Sequence, residues 1–182
     1  MHHWIWVLFL LMACTPGVPA GEEPETSWYM RLDSSVLADV YLKVSKADYT
    51  MEVWSDSLML HRYSVVFGGN AADDKLREGD KCTPEGRFRI QSKYPHDQWS
   101  YFLWIDYPTE DSWTKHKAAK EAGVIPADAS IGGEIGIHGV PEGYDYAIDA
   151  RQNWTLGCVS LKTEDIAELY EIVREGTVVW IE

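Results

Sequence analysis

Two residues in the C-terminal third of the sequence, Cys158 and His138, could act together as a nucleophile and its base. A cysteine with an ordinary pKa of about 8.5 is mostly thiol at neutral pH, so it needs a neighbouring base or cation before it can attack a carbonyl. Gly157 precedes the cysteine, and a glycine there lets the backbone bend and bring an amide toward a bound carbonyl oxygen. Gly136 and Gly139 flank the histidine and leave room for a substrate. The pair predicts acyl-transfer chemistry.

The second cysteine of the body, Cys82, leaves alternatives open for Cys158. The two thiols could form a structural disulfide, which is common in an oxidising compartment. We favour a buried thiol at Cys82, and a reversible disulfide that switches Cys158 off is a minority hypothesis. The other histidines lie in the N-terminal leader or in polar or alternating stretches without glycines, so His138 is the best base.

The elements that must position this pair are mostly strands. From Val36 apolar residues alternate in three short runs, and a β-meander is the simplest arrangement. We predict helices at Glu110 to Ala122 and from Thr163 to Gly176, and a loop-like insert between Val140 and Thr155. Four further strands are predicted around Phe88 and Ile90, at 101–108, at 134–139 and at the C-terminus, and Cys158 lies at the edge of another short strand.

Composition indicates one globular domain that does not bind nucleic acid. The chain has 182 residues, of which 46% are hydrophobic and only 3 are cysteines, so its core does not depend on disulfides. A formal charge of -13 would repel a polyphosphate backbone.

The N-terminus is typical of an exported protein. Trp4 to Ala13 form an apolar run of ten residues, too short for a transmembrane helix of about 20 but suited to a secretory signal. Leu11-Met12-Ala13-Cys14 resembles a bacterial lipobox, which makes Cys14 a candidate lipidation site; cleavage near Ala20 is the alternative. We therefore predict a leader at 1–20, a tether at 21–35, a catalytic domain at 36–182, and a periplasmic or membrane-anchored location in the cell envelope.

Three motifs resemble one known family. His138, sixteen residues, and then Thr155-Leu156-Gly157-Cys158 resemble the signature of the YkuD-type L,D-transpeptidases. The segment TPEGRFRI at 83–90 resembles the family's TPxGxFxI, and residues 52–69 resemble its opening hairpin. The resemblance covers residues 36–182 and implies a mainly β fold, a β-sandwich with one or two short peripheral helices. It also implies an enzyme that uses no metal or cofactor.

The resemblance also implies roles for the site residues. Cys158 would attack the carbonyl of a diaminopimelate residue in a peptidoglycan stem peptide and expel D-alanine, with His138 as the base. The amides of Gly157 and Cys158 would bind the oxyanion, Thr155 would support the cysteine turn, and Gly139 would lie beside the base. A backbone carbonyl often orients the histidine in this family.

Two departures from the common signature leave the reaction open. Leu156 replaces a second histidine, and Ser160 replaces an Arg or Asn, so Ser160 and Trp154 are weak candidates for substrate contact. The pattern is closer to a divergent WTxGC branch that includes a hydrolytic amidase. Transfer of the acyl group to an amine is therefore our first hypothesis, and hydrolysis by an amidase or carboxypeptidase is the alternative.

Two other classes of protein are alternatives to a peptidoglycan-modifying enzyme. The chain could be a non-catalytic wall-binding lipoprotein that stacks tryptophans on glycan, using Trp99, Trp104, Trp113 and Trp154. A papain-type peptidase is disfavoured, because its nucleophile lies on a helix early in the chain and its histidine far downstream, whereas here the order is reversed.

Overall fold

Eight strands form the body of the protein. The computed structural model describes residues 26–182; the predicted leader and Cys14 lie outside the described residues. The strands are β1 Val40–Ser45, β2 Thr50–Ser55, β3 Leu58–Ser64, β4 Gly86–His96, β5 Ser100–Ile105, β6 Gly136–Gly139, β7 Val159–Leu161 and β8 Val178–Ile181.

The strand order is β3-β2-β1-β8-β4-β5-β6-β7. Consecutive antiparallel strands run from β1 to β3 and from β4 to β6, but the predicted meander is wrong at the centre of the sheet. There the last strand, β8, pairs in parallel with β1 and antiparallel with β4. The alternation of a single strand cannot reveal which distant strand becomes its neighbour. The mainly β fold is confirmed.

The core lies on one face of the central strands. Leu42 of β1, Phe88 of β4 and Val179 of β8 are at most 1% exposed, and their sequence neighbours face outward. This alternation is the pattern of a sheet that packs one face on a core. A single core cluster extends from β1 through β8 and β4 to the β6 and β7 pair, so the strands that carry the site are anchored to it.

Four short helices accompany the sheet: α1 Ser34–Ala38, α2 Glu110–Glu121, α3 Tyr146–Asp149 and α4 Thr163–Ile172. α2 agrees with the prediction and begins at a capping box formed by Thr109 and Ser112. α4 begins at Thr163 as expected but ends at Ile172, four residues before Gly176. None of the described helices is long and apolar enough to cross a membrane.

The ordered chain begins earlier than the alternation at Val36 indicates. Val36 lies in α1, not in a strand, and a 3-10 helix spans Trp28–Arg31. Trp28 packs against the core, and its indole N–H donates to the Tyr63 hydroxyl at 3.0 Å. Part of the stretch predicted as a tether is thus attached to the domain, because the partly buried indole of Trp28 packs against the core.

Candidate active site

A backbone carbonyl orients the imidazole of the histidine in the candidate pair. His138 lies in β6, is 2% exposed, and its Nδ1 is 2.7 Å from the carbonyl oxygen of Gly139. A carbonyl oxygen can only accept, so Nδ1 carries the proton and Nε2 is left as the basic nitrogen. The third group that orients the base is therefore a backbone carbonyl. Gly139 must be glycine here, because a Cβ would lie 2.7 Å from the carbonyl oxygen of Trp99.

Aromatic rings enclose the imidazole. Trp99 stacks on His138 with ring centroids 4.4 Å apart, and Trp154 meets it edge-on at 5.5 Å. Phe102 of β5, in register with His138, stacks at 5.7 Å. Burial by these rings lowers the pKa of His138 to about 4, the Gly139 carbonyl raises it, and the charge of His96 lowers it slightly. The imidazole is therefore neutral at physiological pH and available as a base.

The cysteine sits at the start of the neighbouring strand. β6 and β7 run in parallel with Ile137 opposite Val159 and His138 opposite Ser160, so Cys158, directly before β7, lies next to the start of β6, two register positions before the histidine. The Cys158 thiol donates to the Glu134 carbonyl oxygen at 3.6 Å.

The thiol of Cys158 is neutral at physiological pH. Burial raises its pKa to about 11, while a hydrogen bond from the Gly136 backbone and the charge of Lys75 lower it. The cavity thus holds a neutral thiol and a neutral imidazole. Such a pair can support general-base chemistry, in which the imidazole takes the thiol proton as the sulfur attacks, and it does not hold a resident thiolate.

His138 and Cys158 open into one cavity of about 800 Å³. Its charged lining consists of Lys75, Lys81, Glu78 and Glu134, and its other lining residues include Trp99, Trp154, Thr155 and Leu156. The structure therefore brings together most of the predicted site residues. No other described histidine lines this cavity.

The turn before the cysteine depends on Gly157. Its φ is +144°, and a Cβ there would lie 2.8 Å from the Cys82 carbonyl oxygen and 2.9 Å from Ile135 Cδ1. Thr155 Oγ1 donates to the Cys158 carbonyl oxygen at 2.7 Å and accepts from the Gly157 N–H at 3.2 Å. The side chain of Thr155 therefore links both ends of the turn around Gly157 by hydrogen bonds.

These hydrogen bonds change the expected oxyanion donors. The Gly157 amide points to Thr155 Oγ1, so its predicted role as an oxyanion donor does not fit the structure. The amide of Cys158 is left as the backbone candidate. A short polar side chain two residues earlier competes for the amide, as serine and threonine often do in turns.

Ser160 differs from its predicted place. It is fully buried, and its hydroxyl has no hydrogen-bond partner among the described residues. A substrate cannot reach it while β7 is in place, so the predicted substrate contact is not supported. Trp154 does line the cavity, and its buried indole N–H likewise has no described partner.

A loop before β4 adds charged residues that the sequence did not single out. Lys75 is 5% exposed and its Nζ lies 2.9 Å from Asp80, whose carboxylate also accepts from the backbone N–H groups of Leu76 and Arg77. These hydrogen bonds lower the pKa of Asp80 against the raising effect of its burial. The stretch 71–81 is mostly polar and has no periodic pattern, so only the fold shows that both of its lysines, Lys75 and Lys81, line this cavity.

Cys82 is a buried free thiol, and no disulfide joins it to Cys158. The favoured interpretation of Cys82 agrees with this. Its thiol donates to the Asp80 carbonyl oxygen at 3.5 Å. Burial, with the nearby Asp80 and Asp73 carboxylates, raises its pKa to about 11, and Lys75 and Lys46 lower it.

The four tryptophans proposed for wall binding do not form one surface. Trp99 and Trp154 contact His138, whereas Trp113 is exposed on α2 and Trp104 lies in β5 outside the cavity lining. In the described part of the chain, no group of three His, Cys, Asp or Glu residues could hold a metal ion.

The fold and the site together define a β-sheet protein in which two adjacent parallel strands bring a cysteine and a histidine to one cavity. Residues 39–181 match the YkuD family, described as the L,D-transpeptidase catalytic domain. The chain belongs to this family. A search of curated proteins gives no match.

Solved structures share the fold at low sequence identity. The helical cell shape determining protein Pgp2 from Campylobacter jejuni is 20% identical with a TM-score of 0.58, and the match covers 80% of this chain and 48% of that one. Bd1075 from Bdellovibrio bacteriovorus is 16% identical with a TM-score of 0.55, covering 79% and 47%. An Enterococcus faecium L,D-transpeptidase is 17% identical with a TM-score of 0.50, covering 79% and 50%. The chain thus spans about half the length of these proteins.

Proposed function

We propose that this protein is a cysteine acyltransferase that acts on peptidoglycan stem peptides as an L,D-transpeptidase. The observation that carries the proposal is the pairing of a neutral, carbonyl-oriented His138 with the Cys158 thiol in one cavity. Membership of the L,D-transpeptidase family supports the peptidoglycan substrate.

The reaction follows from the protonation states of the pair. His138 Nε2 takes the proton of Cys158 as Sγ attacks the carbonyl carbon of a diaminopimelate residue, and the carbonyl oxygen becomes an oxyanion near the Cys158 amide. Collapse of this intermediate breaks the peptide bond, and the leaving D-alanine nitrogen takes the proton from His138. A thioester remains on Sγ, and an acceptor amine attacks it to restore the thiol.

The charges of the cavity suit a substrate that carries both carboxylates and amines. Lys75 and Lys81 can attract the carboxylates of a stem peptide, and Glu78 and Glu134 can attract its ammonium group. The low dielectric of the buried site strengthens these interactions relative to water. Lys75 has two of its three N–H donors occupied by Asp80 and the Arg77 carbonyl, which leaves one for a ligand.

Mass spectrometry of the protein incubated with diaminopimelate-containing tetrapeptide muropeptides tests this proposal. With an amine acceptor we expect cross-linked dimers or exchange of the terminal D-amino acid, and none with Cys158→Ala. Unchanged products in the Cys158→Ala protein would contradict a cysteine mechanism. Binding to wall material without any turnover by either protein would favour the non-catalytic wall-binding alternative.

A hydrolase is the second candidate. Leu156, at the cavity wall, is 75% exposed, so an apolar side chain stands where the common signature has a histidine. Ser160 is buried where that signature has an Arg or Asn. The site therefore lacks two polar groups that could hold an acceptor amine, which leaves water as the competing acceptor. Release of tripeptides, or of peptides from linked wall, at the same rate with and without amine would establish this reaction.

The cellular location follows from the substrate and the leader. We propose an envelope protein, periplasmic or anchored through lipid on Cys14. Radiolabelled fatty acid should be incorporated by the full chain and not by Cys14→Ala; equal incorporation would contradict lipidation at this residue. Cleavage after Ala20 would instead leave a soluble periplasmic product.

A further inference from the structure

The outer face of the central strands carries a row of four charged side chains and one tryptophan. Arg62, Glu52, Lys43, Trp180 and Arg87 are successive register partners across β3, β2, β1, β8 and β4. The core side chains lie between them in sequence and face the opposite way, so this row lies on the face away from the core.

The middle of this row borders an open groove of about 870 Å³. Trp180 is 49% exposed, and its register neighbours on either side are Lys43 and Arg87. Because neighbouring strands are roughly 4.8 Å apart, the backbones that carry these two cations are roughly 10 Å apart with the indole between them. We call this surface, formed by Tyr41, Lys43, Arg87, Arg174 and Trp180, the basic-aromatic groove.

The charge of the groove is opposite to that of the whole chain. The protein has 29 acidic residues against 16 Lys and Arg. The groove lining nevertheless holds three cations, Lys43, Arg87 and Arg174, against two carboxylates, Asp39 and Glu175. Arg174 pairs with Asp39 at 3.4 Å, which leaves Lys43 and Arg87 against Glu175. A local excess of cations on an acidic protein attracts an anionic ligand and holds it away from the repelling remainder of the surface.

A pair of stacked aromatic rings extends the groove along β1 and β2. Tyr41 and Trp54 are register partners with ring centroids 6.5 Å apart, and Lys43 Nζ lies 4.6 Å from the centre of the Trp54 ring. This cation–π contact holds the ammonium beside the rings without neutralising its charge. The groove thus offers flat apolar faces with cations next to them.

We propose that the basic-aromatic groove binds the glycan strand of peptidoglycan, a polysaccharide with carboxylate-bearing substituents. Indole and phenol faces stack on the apolar faces of sugar rings. Lys43 and Arg87 attract the carboxylates that extend from the sugars. This inference rests on the proposed function, since it gives a wall enzyme a second contact with the same polymer.

Two features favour a glycan over other ligands of the same charge. The groove is concave, and the Glu175 carboxylate in its lining can accept hydrogen bonds from sugar hydroxyls. The same carboxylate would be repelled by the dense charge of an anionic membrane. A glycan held at the groove raises the effective concentration of its stem peptides near the catalytic cavity, as a second binding site does in any multivalent ligand.

Co-sedimentation with glycan strands coupled to beads tests the proposal. The strands are prepared from peptidoglycan whose stem peptides have been removed by an amidase, so the catalytic cavity has no stem peptide to bind. In a Cys158→Ala background, Trp180→Ala and Arg87→Glu should each raise the Kd about ten-fold. Matched controls on α2 are Trp113→Ala, which removes another exposed indole, and Lys117→Glu, which makes the same type of charge reversal; both should keep the parent Kd.

Several outcomes would overturn the proposal. These are equal Kd values for Trp180→Ala and Trp113→Ala, no binding of the parent protein to peptide-free glycan, or groove-dependent binding to vesicles of anionic phospholipid in place of glycan. Loss of a concentration-dependent dimer in Trp180→Ala, seen by sedimentation velocity, would instead make the groove an interface between two copies.

Turnover of soluble muropeptides separates this inference from the proposed function. With Cys158 present, Trp180→Ala should turn over small soluble muropeptides at the parent rate, because the groove and the catalytic cavity share no lining residue. Glycan binding without any cysteine-dependent turnover would refute the proposed function and leave the groove inference standing. Cysteine-dependent turnover without glycan binding would refute the groove inference and leave the proposed function standing.

Discussion

The segments around Cys158 and Cys82 meet in space, yet they differ in what they can do. The Cys82 carbonyl oxygen would lie 2.8 Å from a Cβ at Gly157, the residue before Cys158. Burial raises the pKa of both thiols to about 11. Only Cys158 shares a cavity with a neutral imidazole, whereas Cys82 is 2% exposed and hydrogen-bonded to the Asp80 backbone.

This contrast shows that a thiol pKa does not identify the nucleophile here. Both cysteines are protonated at neutral pH, so reactivity depends on a base that can remove the proton and on space for a substrate. The sheet supplies the base by pairing β6 with β7. The tight contact between the two cysteine segments then holds Cys158 at the cavity wall.

Gly157→Ala should produce the largest effect, because it breaks this contact. The added Cβ would meet the Cys82 carbonyl oxygen and Ile135, and the φ of +144° is unfavourable for alanine. We expect turnover to fall more than about 100-fold and the free energy of unfolding to fall by about 2–4 kcal/mol. Steady-state kinetics and urea denaturation measure the two quantities.

Gly143→Ala is the matched control for Gly157→Ala. Its φ is +75° and no atom lies within 4 Å of the added Cβ, so it adds backbone strain without a collision. Turnover should stay at the parent value. An active, stable Gly157→Ala protein would show that the turn can relax and that the contact with the Cys82 segment does not fix the nucleophile.

The next largest effect is the pH dependence of stability that the buried base confers. The pKa of His138 is about 4 in the folded protein against 6.5 for a free imidazole. Between these values the unfolded chain binds one more proton, so the free energy of unfolding falls as the pH decreases from about 6.5 to 4, by about 3 kcal/mol. In the variant His138→Gln, whose side chain does not titrate, the free energy of unfolding should not show this fall.

The difference between the parent and His138→Gln isolates this effect from other groups. Asp165, whose pKa burial raises to about 6, stabilises the folded state in the opposite direction over the same range. Because Asp165 is present in both proteins, its contribution cancels in the difference. Parallel urea-stability curves between pH 7 and 4.5 would contradict a buried neutral imidazole.

Lys75→Met should moderately lower activity and should change the pKa of both cysteines. The Lys75 charge lowers the pKa of Cys158 and of Cys82, so its removal raises both further. We expect kcat/KM to fall about ten-fold and alkylation of Cys158 by iodoacetamide at pH 8 to slow, with Lys81→Met as a control on the same cavity wall. A double variant with Asp80→Asn removes the carboxylate left without its partner and tests whether the loss is structural.

Recovery of full activity in the double variant would show that Lys75 only neutralises Asp80. Persistent slow alkylation with restored thermal stability would instead show that the positive charge acts on the thiol. An unchanged kcat/KM in Lys75→Met would show that this lysine does not contribute to activity.

Cys158 and His138, which the sequence predicts as nucleophile and base, line one cavity. Local sequence patterns point to this pair and predict most of the strands, because alternating apolar residues and flanking glycines are local features of the sequence. They miss β8 between β1 and β4, because strand order depends on packing between residues distant in sequence. They also miss the Trp99 stack on His138 and the Lys75 charge, which follow from a hairpin and a loop that meet the site only in three dimensions.

Cys82→Ala should have the smallest effect and completes the comparison of the two thiols. Its side chain contacts no cavity that a substrate could enter, so turnover should stay within about two-fold of the parent, whereas Cys158→Ala should lose it. The small void left by the removed sulfur should lower the free energy of unfolding by about 1 kcal/mol.

The same variant tests the redox alternative, because a reversible disulfide would make the parent sensitive to mild oxidation and Cys82→Ala resistant. If both proteins keep their activity and the parent keeps two titratable thiols after oxidation, the buried thiol is structural. The difference between the two cysteines then lies entirely in the base and the cavity that accompany Cys158.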